Sequence, residues 1–430
     1  MSDQKWRTGR RSFLAGVGGS IGIAGCIDRN EAVEPASDPV CHWNDHFITQ
    51  VQQYRGDNFA PTRRGALLNL AMFDAVNGAA ATAGDTHYEP YFIDTDRAPS
   101  GASPVAALGA AADEMLTQLY GEPFDATLDA TVAAAERGDV DTGITWGRTV
   151  ATELLESRSV DYTTDVFVPC DEPNQPGCFR RDWNPIHAQI DLWAINDPEQ
   201  FQPPGPPPLD SAAYASSWKE VHEKGDQNAD RPQEHVDIAA FWRGAPGSPR
   251  PPNMWNVIAQ TVVPQSGLDV LERTRLFALL SIALADAGII ASKAKYEYGF
   301  WRPRTAIHEA DRDGNPETTA DPSWEPLASG GSPEYASTLA AYGGAAHTVL
   351  ESVLERNDYS FEFGSSIQTG LSGDTTGVSR SYSSLTEALE ESLLSRIYVG
   401  NHFGFTMDHS QTMGEEIGEW VISNQLQPHE

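Results

Sequence analysis

Cationic side chains at the ends of structural elements are the residues of this sequence best suited to chemistry. In "KYEYGFWRP", Lys295 and Arg302 stand seven apart, near one face if helical, with Gly299 and Pro303 placed to end a helix. The lysine is conspicuous: the chain has only five, at 5, 219, 224, 293 and 295, among 29 basic residues. "SPEYASTLAAYGGAAH" (332–347) opens with a Pro-led turn and sets Ser337 near a helix start, where exposed N–H groups can hold an anion. "SRIYVGNHFGF" adds Arg396 and His402, six apart and so off a common helical face, with Gly400 allowing a break between them. Singly, each has a structural explanation: basic groups near a helix C-terminus complement its dipole, and a lone histidine is usually a satisfied structural residue. Together they make a shell for a tetrahedral oxyanion. Arginine supplies bidentate donors, lysine a point charge, histidine a nucleophile or ligand.

Other chemistries lack their residues. There is no G-x-S-x-G, H-E-x-x-H, P-loop or dinucleotide fingerprint. Asp311, Asp313 and Asn315 imitate the start of a calcium loop, but Pro316 stands where an EF-hand needs Gly and Pro322 where it needs Glu. A polar turn is expected there.

The elements that must carry the cations are helical. Periodicity predicts helices near 61–82, 102–119, 123–136, 141–158, 210–223, 230–242, 267–298, 334–355, 382–399 and 410–424, and strand signals are scarce. The segment 267–298 is apolar on most faces and reads as a central, buried helix. A long loop is expected from Trp301 to Ser332. Pro-rich "QPPGPPP" (202–208) separates an N-terminal helical region (42–205) from a C-terminal bundle (206–430). No short-period repeat is present. The expectation is a mainly α protein, helix on helix.

Acidic residues outnumber basic ones by 61 to 29, giving a formal net charge of −32. Such a surface excludes general nucleic-acid binding. It suits strong brine, where at ~1 M salt the Debye length is about 3 Å and self-repulsion is screened. Arg10-Arg11-Ser12-Phe13-Leu14 has the twin-arginine export form, and "IAGC" matches a lipobox that would place a lipid on Cys26. Residues 1–25 are therefore expected to be a signal and 26–41 an acidic tether, with the domain anchored on the outer face of the membrane of a halophile. No later run approaches ~18 consecutive apolar residues, so the lipid is the expected membrane contact. Cys170 and Cys178 are spaced for a local disulfide, leaving Cys41 over.

K-x6-R-P, P-E-Y-x-S and S-R-I-Y-x-G-x-H, in that order, resemble the vanadium-dependent haloperoxidase and type 2 phosphatidic acid phosphatase superfamily. "RRGALLNLAMFDAVN", "DIAAFWRG", "NMWNVIAQ" and "ALADAGIIASKAKYEYGFWRP" read like its exported, haloperoxidase-like bacterial branch, so the likeness spans about residues 42–425. It implies paired helical bundles with the anion in the C-terminal one. Lys295, Arg302, Ser337, Thr338 and Arg396 would hold the oxygens of vanadate, or of phosphate in its place. His402 would bond to vanadium, or attack phosphorus in a phosphatase.

One motif departs from the family. Its P-S-G-H is here Ala336-Ser337-Thr338-Leu339, so the glycine that eases backbone approach and the acid-base histidine are both missing. His347 lies roughly 12 Å further along the helix, and His308 is the one nearby candidate to replace it. The resemblance thus implies an oxidation of halide by hydrogen peroxide, with Lys295 polarising the peroxide, impaired at Leu339. The alternatives are hydrolysis of a small phosphate ester through a phospho-His402, or a lipoprotein that binds an oxyanion without turnover.

Overall fold

Caps and helix-ending glycines set most of the element boundaries. The computed structural model describes residues 38–429 apart from 55–57, 86, 122, 160–173, 182–185, 245–246 and 366–377. The export signal, Cys26 and Cys170 lie outside the described residues. Asp38 caps α1 (Pro39–Gln53), its carboxylate accepting from the amides of Val40 and Cys41. There follow α2 (Phe59–Ala83), α3 (Pro104–Tyr120), α4 (Asp125–Ala133) and α5 (Val140–Ser157). Beyond the Pro-rich stretch come α6 (Ala212–Gly225), α7 (Gln233–Phe241), α8 (Arg250–Val262), α9 (Val270–Tyr298), α10 (Pro303–His308) and α11 (Thr338–Leu354). An antiparallel hairpin, β1 (Phe361–Ser365) and β2 (Val378–Tyr382), precedes α12 (Leu385–Tyr398) and α13 (Gly404–Asn424).

The fold is mainly α, as the periodicity predicts, with four differences. α1 and α8 form where no helix is expected; the Arg-Pro-Pro start of α8 reads as a break, yet proline is well tolerated in a first helical turn. α10 interrupts the expected 301–332 loop. The hairpin is too short to give a periodic signal. α13 begins six residues earlier than expected, directly after His402 and Phe403. The calcium-like stretch is a polar turn, with Asp313 accepting from the Asn315 amide and the Thr318 hydroxyl.

α9 opens with a reciprocal capping box between Asp269 and Glu272 and stops at Gly299, which is left-handed at φ 49°. It is long and apolar enough to cross a membrane by length and composition alone. However, α2, α11 and α13 pack on it, and it is buried almost throughout.

The helices also repeat. "ALLNLAMFDAV" in α2 resembles "ALLSIALADAG" in α9, 212 residues later, and Trp43-Asn44 in α1 is matched at the same offset by Trp255-Asn256 in α8. The matched residues touch: Asn69 donates to Ser281 at 3.0 Å, and Asn256 to Asn44 at 2.8 Å. Ser103 caps α3 as Ser337 caps α11. A Cβ on Gly147 of α5 would meet Ala107 and Ala111 of α3, and one on Gly414 of α13 would meet Ala341 and Ala345 of α11. Two copies of one helical unit thus face each other across a polar seam of Asn44, Asn69, Asn256 and Ser281. One apolar core runs through both, from Val40 to Leu426. The position matching Lys295 in the first copy is Ala83, so that copy carries no cation there.

Each copy also pins a loop to its central helix with one buried carboxylate. Asp74 accepts from the amides of Tyr91, Phe92 and Ile93, and Asp286 from those of Trp193, Ala194 and Ile195. Burial pushes both carboxyls up to about 6, against the pull of those amides. An amide at either place keeps one acceptor and turns N–H donors toward N–H donors. Asp286→Asn is therefore expected to destabilise the fold by about 2–4 kcal/mol, read as a lower urea midpoint at constant slope. A change under about 0.5 kcal/mol, the usual range for an inconsequential surface substitution, would refute this role.

Candidate oxyanion-binding site

Three chain segments meet at the C-terminal end of α9. Lys295 lies in the last turn of that helix, and Arg302 follows the Gly299 stop, fixed from behind by Pro303 at the start of α10. Lys295 Nζ donates to the carbonyls of Pro333 at 2.7 Å and Glu334 at 3.1 Å. Arg302 is held along its whole guanidinium. Nε donates to Ser332 O at 2.9 Å, Nη2 to Ser332 Oγ at 3.2 Å, and Nη1 to Asn401 O at 2.9 Å and His402 Nε2 at 3.0 Å. A Cβ on Gly330 would lie 2.6 Å from Arg302 Nη2, so only glycine lets the guanidinium lie flat there. Gly400, at φ 74°, ends α12 and turns the chain so that His402 comes back to Arg302.

Glu334 sets the state of His402. Its Oε1 lies 2.9 Å from His402 Nδ1 and accepts from the Phe403 amide at 3.1 Å, while Oε2 accepts from the Thr406 hydroxyl at 2.8 Å. Burial pushes this carboxyl up to about 7, opposed first by Arg302. Because its partners are all donors, the arrangement holds the carboxylate. A carboxylate can only accept, so the imidazole proton sits on Nδ1 and Nε2 presents a lone pair, to which Arg302 donates. Burial, then Arg302, Lys295 and Arg396, hold the ring's pKa well below the usual histidine value, which keeps it neutral.

The charges do not balance. Lys295, Arg302 and Arg396 surround a single carboxylate. Burial pulls Lys295 well below an ordinary lysine, Arg302 down to about 10 and Arg396 down to about 9, the last helped by Arg302 and Arg243. Among the described residues, Nε and Nη1 of Arg396 are buried with no hydrogen-bond partner. Unpaired buried charge is costly, and an anion of −2 or −3 with several acceptor oxygens relieves it. The donor set therefore fits vanadate or phosphate, and a lone pair on His402 Nε2 fits a fifth bond to vanadium.

The remaining expected residues divide. Ser337 is the N-cap of α11, but its amide donates to Ser410 Oγ at 2.8 Å and its hydroxyl accepts from the Ala340 amide, so only the hydroxyl hydrogen is left to donate. Thr338 starts the helix, where the first amides have no intrahelical partner. Leu339 is buried in that first turn. Neither histidine that the sequence offers as a substitute is free for the role: His308 Nε2 pairs with Trp324 O at 2.7 Å, and His347 Nε2 with Thr386 Oγ1 at 3.0 Å. Cys178 is disulfide-bonded, its expected partner Cys170 lies outside the described residues, and Cys41 is free with its thiol pushed up by burial. Glu334 was the residue missed by motif reading, although it lies inside P-E-Y-x-S; a carboxylate in a cation site gave the only hint. Arg243 and Ser332 carried no signal at all.

A second charged place, an open groove of about 650 Å³ over α6, has both its lysines paired already, Lys219 with Glu317 and Lys224 with Glu220. It holds no comparable surplus.

Residues 275–429 match the model of the VCPO second helical-bundle domain. An alignment 115 positions long, which takes in 22% of this chain, is 31% identical to the vanadium chloroperoxidase of Curvularia inaequalis and spans only 18% of that enzyme's length. Among solved structures, a bacterial vanadium-dependent iodoperoxidase superposes with a TM-score of 0.69 at 21% identity, over 92% of this chain and 99% of that one. The holo form of a bacterial vanadium-dependent chloroperoxidase gives 0.66 at 16% identity, over 88% and 95%. At these identities the structural likeness speaks for the fold.

Proposed function

We propose that this chain, whose residues 275–429 match the second helical-bundle domain of the vanadium chloroperoxidases, holds vanadate and uses it to oxidise halide with hydrogen peroxide, at a rate limited by Leu339. The observation that carries this reading is Arg396, whose two buried donors lack partners beside a neutral His402 with its Nε2 lone pair exposed to the cations. Bound vanadate supplies a Lewis-acidic centre that activates peroxide toward a halide. Lys295, aimed by two carbonyls, brings a positive charge to the oxygens without a hydrogen-bonding partner that could take its proton. Arg302 and Arg396 orient the anion, and Glu334 keeps the proton on His402 Nδ1. Leu339 can neither give nor take a proton, so proton movement is left to solvent.

Access favours small reactants. Lys295, Arg302, Ser337, Leu339 and His402 are 4, 6, 0, 7 and 4% exposed, which suits peroxide and halide better than a bulky phosphate ester. Leu339 itself favours a second reading, an oxyanion-binding protein without turnover. The deciding experiment measures vanadate binding by equilibrium dialysis and vanadium NMR, then peroxide-dependent bromination. One vanadate per chain is expected, displaced by phosphate. Arg396→Ala is expected to weaken binding about 30-fold, roughly 2 kcal/mol for its lost charge-assisted bonds. Equal binding by that variant would remove the site from consideration.

We also propose export and anchoring through a lipid on Cys26, on the sequence signal alone. Cys26→Ser should appear in the soluble extracellular fraction or stay unprocessed; unchanged membrane association would rule out the anchor.

A further inference from the structure

Arg396 has a like-charged neighbour, Arg243, and no carboxylate. Among the described residues, every other arginine drawn even partly inside the fold has a partner. Arg180, Arg273 and Arg380 meet carboxylates, and Arg64 lies over two tyrosine rings. Arg63, Arg158, Arg231, Arg250, Arg275 and Arg302 meet carbonyls. Arg243 and Arg396 are both half-buried and make no ion pair or hydrogen bond among the described residues. Acidic residues outnumber basic ones by 61 to 29, so a bare pair of guanidiniums is out of keeping with the rest of the chain. The carboxylate nearest in sequence on α12, Glu391, is already taken. It accepts from Trp242 Nε1 at 2.9 Å, the Tyr382 hydroxyl at 2.7 Å and Arg380 Nε at 2.6 Å.

Packing on both sides of α12 places the pair. On one side α7 runs antiparallel to it, with His235 stacked on Tyr398 at 4.0 Å and Trp242 bonded to Glu391. Arg243 follows Trp242 directly, and Gly244, left-handed at φ 63°, then turns the chain against Pro251. Arg396 stands five residues beyond Glu391, about 7.5 Å along the helix, which an arginine beside Trp242 can reach. On the other side α11 is antiparallel too: a Cβ on Gly343 would meet Leu389 and Ser392, while Ala340 packs with Ile397. The first turn of α11, with Leu339, therefore comes alongside Arg396. Arg243 is close enough to join burial and Arg302 in pulling Arg396 down to about 9.

Arg243 is thus a fourth cation at a site with one carboxylate, Glu334. A dianionic oxyanion held by Lys295, Arg302 and Arg396 still leaves one positive charge over, on the side of α7. What fits there is a small monovalent anion. Hydrogen peroxide is neutral and gains nothing from a cation, whereas a halide carries the charge required. We propose that Arg243, beside Arg396, binds the halide, holding it next to the resident oxyanion and abreast of Leu339. A guanidinium is weakly hydrated and suits a weakly hydrated halide, so bromide should bind more tightly than chloride. The proposal rests on the halide-oxidation reading of the site, and its test separates the two.

Halide binding is read without turnover, from the broadening of the chloride-35 NMR line by the full chain with its oxyanion shell filled by vanadate or phosphate. The parent is expected to broaden the line, and bromide to reverse this at a lower concentration than chloride itself requires. Arg243→Ala should remove at least four-fifths of the reversible broadening and Arg243→Lys should restore half of it, with vanadate affinity within about threefold in both. In peroxide-dependent bromination, Arg243→Ala should raise the bromide KM about tenfold, the scale of one lost charged partner, and leave kcat within twofold. If the alanine variant loses helicity by circular dichroism, Arg243→Gln, which keeps the length and removes the charge, takes its place. Arg97→Ala, which breaks an exposed ion pair of the N-terminal copy, is the control and should change nothing. Undiminished broadening in Arg243→Ala overturns the proposal. So does a loss of vanadate affinity as large as that of Arg396→Ala with halide binding intact, which would make Arg243 a part of the oxyanion shell. If the parent binds neither vanadate nor phosphate, the oxyanion reading fails instead, and the broadening by parent and Arg243→Ala still decides the halide site.

Discussion

His402→Ala is expected to separate vanadate from phosphate. The Nε2 lone pair that would bond to vanadium disappears with the ring, so vanadate affinity should fall by more than the ~100-fold that losing a hydrogen-bond partner of a metal ligand typically costs. Phosphate makes no such bond and depends on Lys295, Arg302 and Arg396, so its affinity should stay within about threefold, under 1 kcal/mol. Glu334→Gln tests the same bond one step removed. An amide at Oε1 and Oε2 would set a donor against one of the His402 Nδ1 proton, the Phe403 amide and the Thr406 hydroxyl. Where the ring responds by moving its proton to Nε2, the lone pair is lost. A 10–100-fold loss of vanadate affinity is expected, with phosphate again nearly unaffected. Titration with both anions, monitored by vanadium and phosphorus NMR, checks the pair. Equal losses for both anions would mean that His402 serves the shape of the pocket and not a bond to the metal.

Leu339→His combined with Thr338→Gly is expected to raise activity. Both residues lie in the first turn of α11, whose cap is Ser337. Glycine at 338 removes a side chain from the approach of backbone to anion, and histidine at 339 restores a proton carrier. General acid-base help is worth ~10²–10⁴-fold, about 3–5 kcal/mol at ~1.36 kcal/mol per tenfold. Peroxide-dependent halogenation should rise at least tenfold over the parent. Hydrolysis of phosphate esters with poor leaving groups should rise more than that of activated aryl esters, whose leaving groups need little protonation. A folded, vanadate-binding double variant that gains neither activity would favour the binding protein without turnover.

Much of this was legible in the sequence because it is local. Hydrophobic periodicity gives α2, α3, α5, α9 and α11 to within a few residues. Gly299 and Pro303 announce the stop that carries Arg302, and five lysines in an acidic chain make Lys295 conspicuous. Leu339 needs no structure at all to be seen as an unreactive residue in a chemical position. The polar faces of α1 and the proline start of α8 hid two helices, since each is defined by what it packs against.

What only the tertiary structure decided is long-range. Glu334 reaches His402 across 68 residues, and Arg302 reaches it across 100. Neither contact leaves a trace in periodicity, because hydrogen bonds of this kind need only compatible donors and acceptors, not spacing. The repeat of α1, α2, α3 and α5 in α8, α9, α11 and α13 is faint in sequence for a related reason. Packing constrains size and shape at each position, so Asn69 can face Ser281 and Gly147 can stand where Gly414 does, while most other residues drift. The imbalance of charge at Arg396 exists only because the fold buries its guanidinium. The sequence by itself determined which cations the chain has; burial decided that three of them share one carboxylate, a surplus of charge that an anion would balance.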